Sequence, residues 1–239
     1  RSGPPPGFFS AEADGLARLR ATGTVRVPEV LGVRDEGPWG GLVLERIEAG
    51  RERDRGMSDA GRRLAQLHAQ RGHAPGLEVD NYIGTISQTN TAVEDDRWLT
   101  FFRERRLAPL AHHLPAALED RVRRLDPEQY ADDPQGGCAL LHGDLWSGNL
   151  MINSAGEGIV FDPAVYRGHP EVDLAMTRLF GGFDGAFYDG YQEVSGPFDR
   201  DLARRLSLWN LYPLLVHVAL VGGGYVPQVE ATLDALGAP

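Results

Sequence analysis

The sequence predicts an α+β fold in which a few short strands carry the chemistry and amphipathic helices form most of the rest. Two observations support this prediction. Three short apolar runs, at 138–141, 150–152 and 159–161, are each bounded by Gly, Asn, Ser or Asp, as brief buried strands joined by tight loops are. Longer segments such as 8–21 and 98–107 instead repeat apolar residues at helical spacing.

The polar loop between the first two strands, HGDLWSGN at 142–149, carries the candidate chemistry. The third strand ends on Asp162, and a predicted hairpin brings that residue back to the loop. Carboxylate and amide oxygens suit Mg²⁺, so Asn149 and Asp162 are predicted metal ligands, which leaves Asp144 to accept a proton from an attacking hydroxyl. The spacing H-x-D-x-x-x-x-N is that of a kinase catalytic loop. Turn-capping residues would give a similar composition, but the hairpin and Asp162 in order favour phosphoryl transfer.

A wider set of motifs carries a family resemblance. The motifs are FFxxEAxGL at 8–16, NYIG at 81–84, FFRERRL at 101–107, LLHGDLWSGN at 140–149, FDPAVYRGHPEVDLAMT at 161–177 and LFGGF at 179–183. Together they resemble the fructosamine kinase (ketosamine-3-kinase) family, relatives of the aminoglycoside phosphotransferases. The resemblance implies a protein-kinase-like, two-lobe fold: a truncated N-terminal, nucleotide-binding lobe at 1–47 and a mainly helical large lobe at 48–239 that contains the catalytic loop and the metal-binding hairpin.

The resemblance also implies the reaction. A member of this family transfers phosphate from ATP, with Mg²⁺, to a hydroxyl, O3, of a fructosamine or ribulosamine, either free or on a glycated amine, as in protein deglycation. A related kinase of aminoglycosides or choline is the alternative. A pseudokinase or binding module is a second alternative, because all 24 basic residues are Arg and a kinase needs a Lys. The chain opens inside a Pro/Gly loop without Met, so we expect a fragment that binds nucleotide weakly or is inactive.

The resemblance assigns further residues to the nucleotide. Glu12 matches the helix glutamate that pairs with the kinase Lys, although a plain charge at a helix start is the alternative. The strand predicted at 41–47, which follows a strand at 25–33 and a turn at 34–40, matches the segment that leads to the hinge; an ordinary hairpin is the alternative. The backbone groups implied to meet adenine are those of Glu45, Arg46 and Ile47.

Three residues are assigned to the substrate and two to structural support. Trp146 is implied to face the sugar, whereas simple hydrophobic anchoring is the alternative. His217 and Tyr225 match positions that close the substrate side, but they can equally be structural. Asp173 is expected to accept hydrogen bonds from the backbone of the catalytic loop and so to fix Asp144, unless it is only a helix-start charge. His142 is assigned to the support of the same loop.

Composition limits the partners. The net charge of −10 and the pI near 5.2 disfavour nucleic acid and anionic membranes, which bind clustered positive charge. No apolar run approaches the roughly 20 residues that span a bilayer. A single cysteine, Cys138, cannot form an internal disulfide, and no signal peptide is visible, so a cytoplasmic location is expected.

Several local details are predicted as well. Ser10 and Asp96 are expected to cap the helices at 8–21 and 98–107. A further helix is expected to begin at Ser58 or Asp59 and to run through His68, which we expect to be structural. The arginine cluster at 103–106 is expected to be a solvated or salt-bridged face, and Pro213 to interrupt the long apolar segment at 200–220.

Overall fold

The computed structural model describes residues 3–35 and 40–238. The helices and strands, in chain order, are α1 (Phe8–Ala21), β1 (Val30–Arg34), β2 (Gly41–Leu44), α2 (Arg53–Ala69), β3 (Asn81–Ile83), β4 (Ile86–Gln88), α3 (Trp98–Phe101, continued by a π-helical turn at Phe102–Leu107), α4 (Ala116–Arg124), β5 (Ala139–Leu141), β6 (Leu150–Ile152), β7 (Gly158–Val160), β8 (Tyr166–Gly168), α5 (Glu171–Leu179), α6 (Gly185–Ser195), α7 (Leu202–Val221) and α8 (Val226–Leu236). The mixture of helix and strand is the predicted α+β content.

The strands pair as two-stranded antiparallel ladders, and two of these ladders position the catalytic loop. β5 pairs with β8, so that Leu141 faces Tyr166, and β6 pairs with β7, so that Leu150 faces Val160. The loop at 142–149 runs from β5 to β6, while 161–165 runs from β7 to β8. Because both connections join the same two ladders, the ends of the catalytic loop and the residue after β7 meet at one edge.

The helices form the larger part of the core. α2 packs closely on α6, where a Cβ at Gly61 would lie 2.0 Å from the carbonyl oxygen of Phe187. The ring of Trp98 lies 5.5 Å from that of Phe102 and 5.8 Å from that of Trp209, so α3 and α7 share an aromatic core. The Trp98 ring also stacks on that of Tyr166 at 6.3 Å, so this aromatic core lies against the β5–β8 ladder.

α7 corrects one prediction. It continues without a break through Pro213, although the sequence predicts an interruption there. Nδ1 of His217 lies 2.7 Å from the Pro213 carbonyl oxygen, which gives this carbonyl a side-chain partner within the helix. Among the residues at 3–35 and 40–238, no helix has the combined length and apolarity that crossing a membrane would require.

The helix boundaries are partly as predicted. α1 spans Phe8–Ala21, which confirms the predicted helix, but Ser10 is not its cap. Gly7 occupies the N-cap position, and the carboxylate of Asp35 accepts hydrogen bonds from the backbone N–H groups of Phe9 and Ser10, both at 2.9 Å. The free N–H groups of the first turn are therefore satisfied by a residue distant in sequence.

Two other helix starts also differ from prediction. The helix at 98–107 begins after Arg97 rather than on a cap from Asp96, and Asp133 Oδ1 accepts a hydrogen bond from the backbone N–H of Leu99 at 2.9 Å. α2 begins at Arg53 and not at Ser58, because the exposed charged residues that precede Ser58 are themselves helical. Sequence signals near a helix start miss partners that come from elsewhere in the chain.

The first two strands are shorter than predicted. β1 covers Val30–Arg34 in place of 25–33, and β2 ends at Leu44 in place of Ile47. The predicted turn at 34–40 falls in part on residues 36–39, which lie outside the described residues. The division of the chain into lobes at residue 47 stays a prediction.

Candidate active site

The catalytic loop is held against the β7–β8 connection by close backbone contacts. The N–H of Ala164 donates to the carbonyl oxygen of His142 at 2.9 Å. Gly143 has a φ of +82°, and a Cβ there would lie 2.0 Å from the Ala164 carbonyl oxygen. Only glycine suits both the left-handed conformation and this approach. The G of the HGD motif therefore allows the loop to touch the segment that follows Asp162.

Asn149 connects the two predicted acidic groups. Its Nδ2 donates to Oδ2 of Asp144 at 3.2 Å, to the Asp144 carbonyl oxygen at 2.8 Å and to the Asp162 carbonyl oxygen at 3.3 Å. Asn149 is 3 % exposed, so this amide is fixed by its surroundings. Asp162 adopts a φ of +54°, an uncommon conformation for a residue other than glycine. The structure thus brings Asp144, Asn149 and Asp162 to one place.

Glu12 faces the same place from α1. A small cavity is lined by Glu12, Asp144 and Asp162, together with residues of the β3–β4 hairpin. Burial and, to a smaller extent, the negative charge of Asp162 together raise the pKa of Asp144 to about 7, against a hydrogen bond from Asn149 that lowers it. Burial and, to a smaller extent, the negative charge of Asp162 also raise the pKa of Glu12 to about 7. The cavity is therefore rich in negative charge, and a cation would relieve the repulsion.

The donor set fits a cation that arrives with its own ligands. Within residues 3–35 and 40–238, no three His, Cys, Asp or Glu side chains are grouped so that they could hold a metal ion. The residues that converge are carboxylates and one amide, which are hard oxygen donors. Mg²⁺ is commonly held by one or two carboxylates together with substrate phosphates, and the residues present fit that arrangement.

Asp173 and His142 support the catalytic loop through buried hydrogen bonds. Asp173 is fully buried, and its carboxylate accepts hydrogen bonds from the backbone N–H groups of His142 at 2.8 Å and Gly143 at 2.9 Å, the contact expected from the sequence. His68 Nε2 lies 3.1 Å from the same carboxylate, and His68 Nδ1 lies 2.9 Å from the hydroxyl of Tyr191. Burial by itself would raise the pKa of Asp173, but the contacts with His68 and the loop overcome this and lower it.

His142 connects the loop to the end of β7. Its Nε2 lies 3.1 Å from the carbonyl oxygen of Phe161, and its Nδ1 accepts a hydrogen bond from the backbone N–H of Asp144 at 3.3 Å. These contacts require a neutral ring with its proton on Nε2. Burial lowers the pKa of His142, which is consistent with the neutral form.

The predicted adenine-contacting residues lie apart from the acidic cavity. Glu45, Arg46 and Ile47 follow β2 and lead towards Ala49, which bridges to Asn153 in the β6–β7 hairpin. The backbone N–H of Glu45 donates to the Glu29 carbonyl oxygen at 2.8 Å, and its carboxylate pairs with Arg26 at 2.6 Å. The N–H of Glu45 is therefore already used within the chain, and none of the three residues lines the cavity.

The three predicted substrate residues gather around Phe180. The Phe180 ring lies 4.8 Å from that of His217, 6.5 Å from that of Trp146 and 6.5 Å from that of Tyr225. Trp146 is 41 % exposed and Phe180 37 % exposed, so this aromatic cluster presents an open surface beside the catalytic loop. A Cβ at Gly182 would lie 2.4 Å from Cβ of Ser147, which shows how closely the LFGGF segment approaches that loop.

Two groups of residues lie at the site in the structure but were not predicted there from the sequence. Phe180 belongs to the LFGGF motif, and that motif was the available signal for the centre of the aromatic cluster. Asn81, Tyr82 and Gly84 line the acidic cavity and belong to the NYIG motif. Both motifs stand out in the sequence, but their distance from the catalytic loop along the chain hides their contact with it.

Comparison with known proteins identifies relatives over nearly the whole chain. A family model described as fructosamine kinase matches residues 5–238. A probable ketoamine kinase of Synechocystis sp. is 42 % identical over 236 residues, which cover 95 % of this chain and 77 % of that protein. A chloroplastic protein-ribulosamine 3-kinase of Oryza sativa is 35 % identical over 240 residues, covering 96 % of this chain and 68 % of the rice protein.

Solved structures extend the comparison to the fold. A candidate fructosamine-3-kinase from Thermobifida fusca superposes with a TM-score of 0.84 at 31 % identity, covering 98 % of this chain and 82 % of that one. An aminoglycoside phosphotransferase in complex with AMP-PNP and hygromycin B superposes with a TM-score of 0.59 at 16 % identity, covering 96 % of this chain and 81 % of that one, which shows the shared fold alone. The predicted protein-kinase-like fold is confirmed.

Proposed function

Because this chain belongs to the fructosamine kinase family and is therefore a phosphotransferase, we propose that it transfers the γ-phosphoryl group of ATP to O3 of a ketosamine. The acceptor is a fructosamine or ribulosamine, either free or carried by a glycated amine. Relatives named as ketoamine kinases and as a protein-ribulosamine 3-kinase support this class of acceptor. The low identity to choline and aminoglycoside kinases carries only the fold, so those substrates are not preferred.

Asp144 is the proposed general base. The observation that supports it best is the amide of Asn149, which hydrogen-bonds both to the Asp144 side chain and to the backbone of Asp162. A carboxylate held in this way can orient an acceptor hydroxyl and take its proton. A pKa of about 7 for Asp144, raised by burial and then by Asp162, makes it a stronger base than an exposed aspartate.

Asn149 and Asp162 are the proposed ligands of Mg²⁺. The hydrogen bonds that the Asn149 side chain makes leave from Nδ2, so Oδ1 is the atom with which it would bind a cation. When bound, Mg²⁺ would neutralise charge on the triphosphate. Glu12 and the segment at Glu45, Arg46 and Ile47 remain the proposed nucleotide contacts. A cytoplasmic location is part of the same proposal.

Trp146, His217 and Tyr225 are the proposed contacts for the acceptor, and Phe180 joins them. An aromatic surface can cover the apolar face of a sugar or of its amine substituent while the polar rims of the rings stay hydrated. The cluster stands beside Asp144 in the chain, because Trp146 follows it by two positions in the same loop. An acceptor resting on these rings would therefore present its hydroxyls towards the proposed base.

The test is the variant Asp144→Asn in protein made from the complete coding sequence. Transfer is followed by ³¹P NMR with ATP, Mg²⁺ and a synthetic fructosamine or ribulosamine. Loss of a general base lowers kcat by about 10²- to 10⁴-fold, and the KM for the ketosamine should change little. Asp14→Asn is the matched control, since Asp14 lies on the exposed side of α1 and forms a surface ion pair with Arg18. If turnover by Asp144→Asn stays within about tenfold of wild type, Asp144 is not the base.

A further inference from the structure

Arg106 is buried, and its hydrogen bonds go to a backbone carbonyl and an amide oxygen. The sequence predicts a solvated or salt-bridged face at 103–106, and for Arg106 this is wrong, because the side chain is 0 % exposed. No ion pair between Arg106 and an acidic side chain occurs within residues 3–35 and 40–238. Its guanidinium lies 4.0 Å from the ring centroid of Tyr166, and it donates to the Thr89 carbonyl oxygen at 2.6 Å and to Asn90 Oδ1 at 2.6 Å. Burial of a charge costs free energy unless hydrogen bonds compensate it, and these contacts provide that compensation.

Arg106 fixes the direction of a chain of hydrogen bonds. A guanidinium can only donate, so Asn90 must present its oxygen to Arg106 and its nitrogen onwards. Nδ2 of Asn90 donates to Oδ1 of Asn81 at 2.8 Å, and Nδ2 of Asn81 donates to the carbonyl oxygen of Val165 at 2.7 Å. Every link points the same way, and such chains polarise one another. This series of hydrogen bonds therefore ends at the Nδ2 group of Asn81, a strong donor to the Val165 carbonyl oxygen in the β7–β8 connection.

A second chain reaches the adjacent peptide group. The hydroxyl of Tyr212, on α7, donates to Oε1 of Gln88 at 2.8 Å. Nε2 of Gln88 then donates to the Ala164 carbonyl oxygen at 3.2 Å and to Oδ1 of Asn81 at 2.7 Å. Both carboxamides come from the β3–β4 hairpin and are buried. The successive carbonyl groups of Ala164 and Val165 thus accept hydrogen bonds from side chains of one hairpin.

The bound peptide groups follow Asp162 directly. Ala164 is also bonded on its other side, because its N–H donates to the His142 carbonyl oxygen. The segment from Asp162 to Val165 is consequently held between the catalytic loop and the β3–β4 hairpin. Asp162 itself is exposed and in the left-handed region, so its own side chain contributes little to holding that conformation. The buried donors supply the restraint.

We propose that Asn81, Gln88, Asn90, Arg106 and Tyr212 are positioning residues that fix the segment after Asp162 and so set where its carboxylate meets the divalent cation of the nucleotide. The proposal rests on the proposed function for the role of Asp162. It gives the NYIG motif and the buried arginine one shared task. It also predicts that damage to the hairpin weakens binding of the metal-nucleotide complex more than binding of the ketosamine.

The test compares Gln88→Met with Val122→Ala in protein made from the complete coding sequence. Gln88→Met keeps the length of the side chain but removes both donor bonds and the acceptor of Tyr212. Val122→Ala is a core truncation in α4, which contacts α8 and the turn at 111–113, and it controls for a general loss of stability. Titration with Mg·ADP measures nucleotide binding, and hydrogen exchange of the peptide covering 161–166 in the ligand-free protein measures the restraint.

We expect Gln88→Met to weaken Mg·ADP binding by about tenfold and to accelerate hydrogen exchange in the peptide covering 161–166 by about the same factor, as loss of one or two hydrogen bonds would. Val122→Ala should change neither by more than about twofold. Tyr212→Phe removes only the hydroxyl that orients Gln88, and it should weaken Mg·ADP binding by about threefold. This milder variant decides the matter if Gln88→Met does not fold.

The outcomes separate the two proposals. Unchanged Mg·ADP affinity in either folded network variant overturns the positioning role, whatever the exchange rates do. Equal losses in Val122→Ala and Gln88→Met overturn it too, because they would indicate general destabilisation. If the wild-type protein binds Mg·ADP, the network variants weaken that binding, and no ketosamine is phosphorylated, then the proposed acceptor fails while the positioning role stands.

Discussion

Replacement of Asp173 by Asn tests how the catalytic loop is held. The carboxylate accepts three hydrogen bonds: Oδ2 from the His142 N–H and His68, and Oδ1 from the Gly143 N–H. A carboxamide has one acceptor oxygen, so whichever way it turns, its NH₂ group faces one backbone N–H of the loop. An orphaned buried N–H costs about 1–3 kcal/mol, and bonds to a charged group contribute about 1.5–3 kcal/mol. We therefore expect a loss of about 3 kcal/mol.

The assay is reversible unfolding of Asp173→Asn, followed by circular dichroism. For a chain of this size, a loss of about 3 kcal/mol lowers Tm by roughly 6–12 °C. The exposed control Asp14→Asn should lose less than about 1 kcal/mol, since its ion pair with Arg18 lies at the surface. A difference below about 1 kcal/mol between Asp173→Asn and wild type would refute the view that this carboxylate holds the loop.

The effect of pH on stability provides a second test of the role of Asp173. The pKa of Asp173 is lowered in the folded protein, so its ionised form stabilises the fold at pH values above the unfolded pKa of about 3.9. That contribution is lost as the pH falls through the lower, folded pKa. The gap in unfolding free energy between wild type and Asp173→Asn should therefore be constant between about pH 5 and 8 and shrink below about pH 4. A gap that grows on acidification would contradict this assignment.

Two further predictions concern the aromatic cluster and the cysteine. Trp146→Ala should raise the KM for the ketosamine by about 30-fold, equivalent to about 2 kcal/mol, and leave the KM for ATP unchanged. Trp146→Phe should keep the ketosamine KM within about threefold of wild type. Equal effects on both KM values would argue against an acceptor contact. Cys138 is 2 % exposed, and burial, with a smaller effect of Asp133, raises the pKa of its thiol to about 12. A disulfide reagent should therefore modify Cys138 only in unfolded protein. Rapid modification of the native chain at pH 8 would contradict its burial.

Local sequence patterns predict the elements whose stabilising contacts lie nearby. α1 has the predicted bounds because its apolar spacing alone defines the buried face. The short strands at 139–141, 150–152 and 158–160 follow from their flanking turn residues. The catalytic loop was found because its spacing is read directly from consecutive residues. The positions of these elements along the chain can be predicted without knowledge of distant partners.

Features that depend on distant partners were missed. The caps of two helices come from Asp35 and Asp133, which lie outside the local capping windows. Arg106 looks like a surface arginine in sequence, since its partners Tyr166, Asn90 and Tyr212 come from β8, the segment after β4 and α7. The hydrogen-bond network that holds the segment after Asp162 is equally non-local, because Asn81 and Gln88 bond carbonyl groups about 80 residues further along the chain. Pairing of that kind is set by tertiary packing.

The most direct measurement is the position of phosphate on the product. Protein from the complete coding sequence is incubated with Mg·ATP and a fructosamine, and the product is examined by ³¹P and ¹H NMR. The proposed function predicts a single phosphate ester on O3, formed by the wild-type protein and formed at least about 10²-fold more slowly by Asp144→Asn. Release of inorganic phosphate without an ester, or a rate of ester formation by Asp144→Asn within about tenfold of wild type, would contradict it.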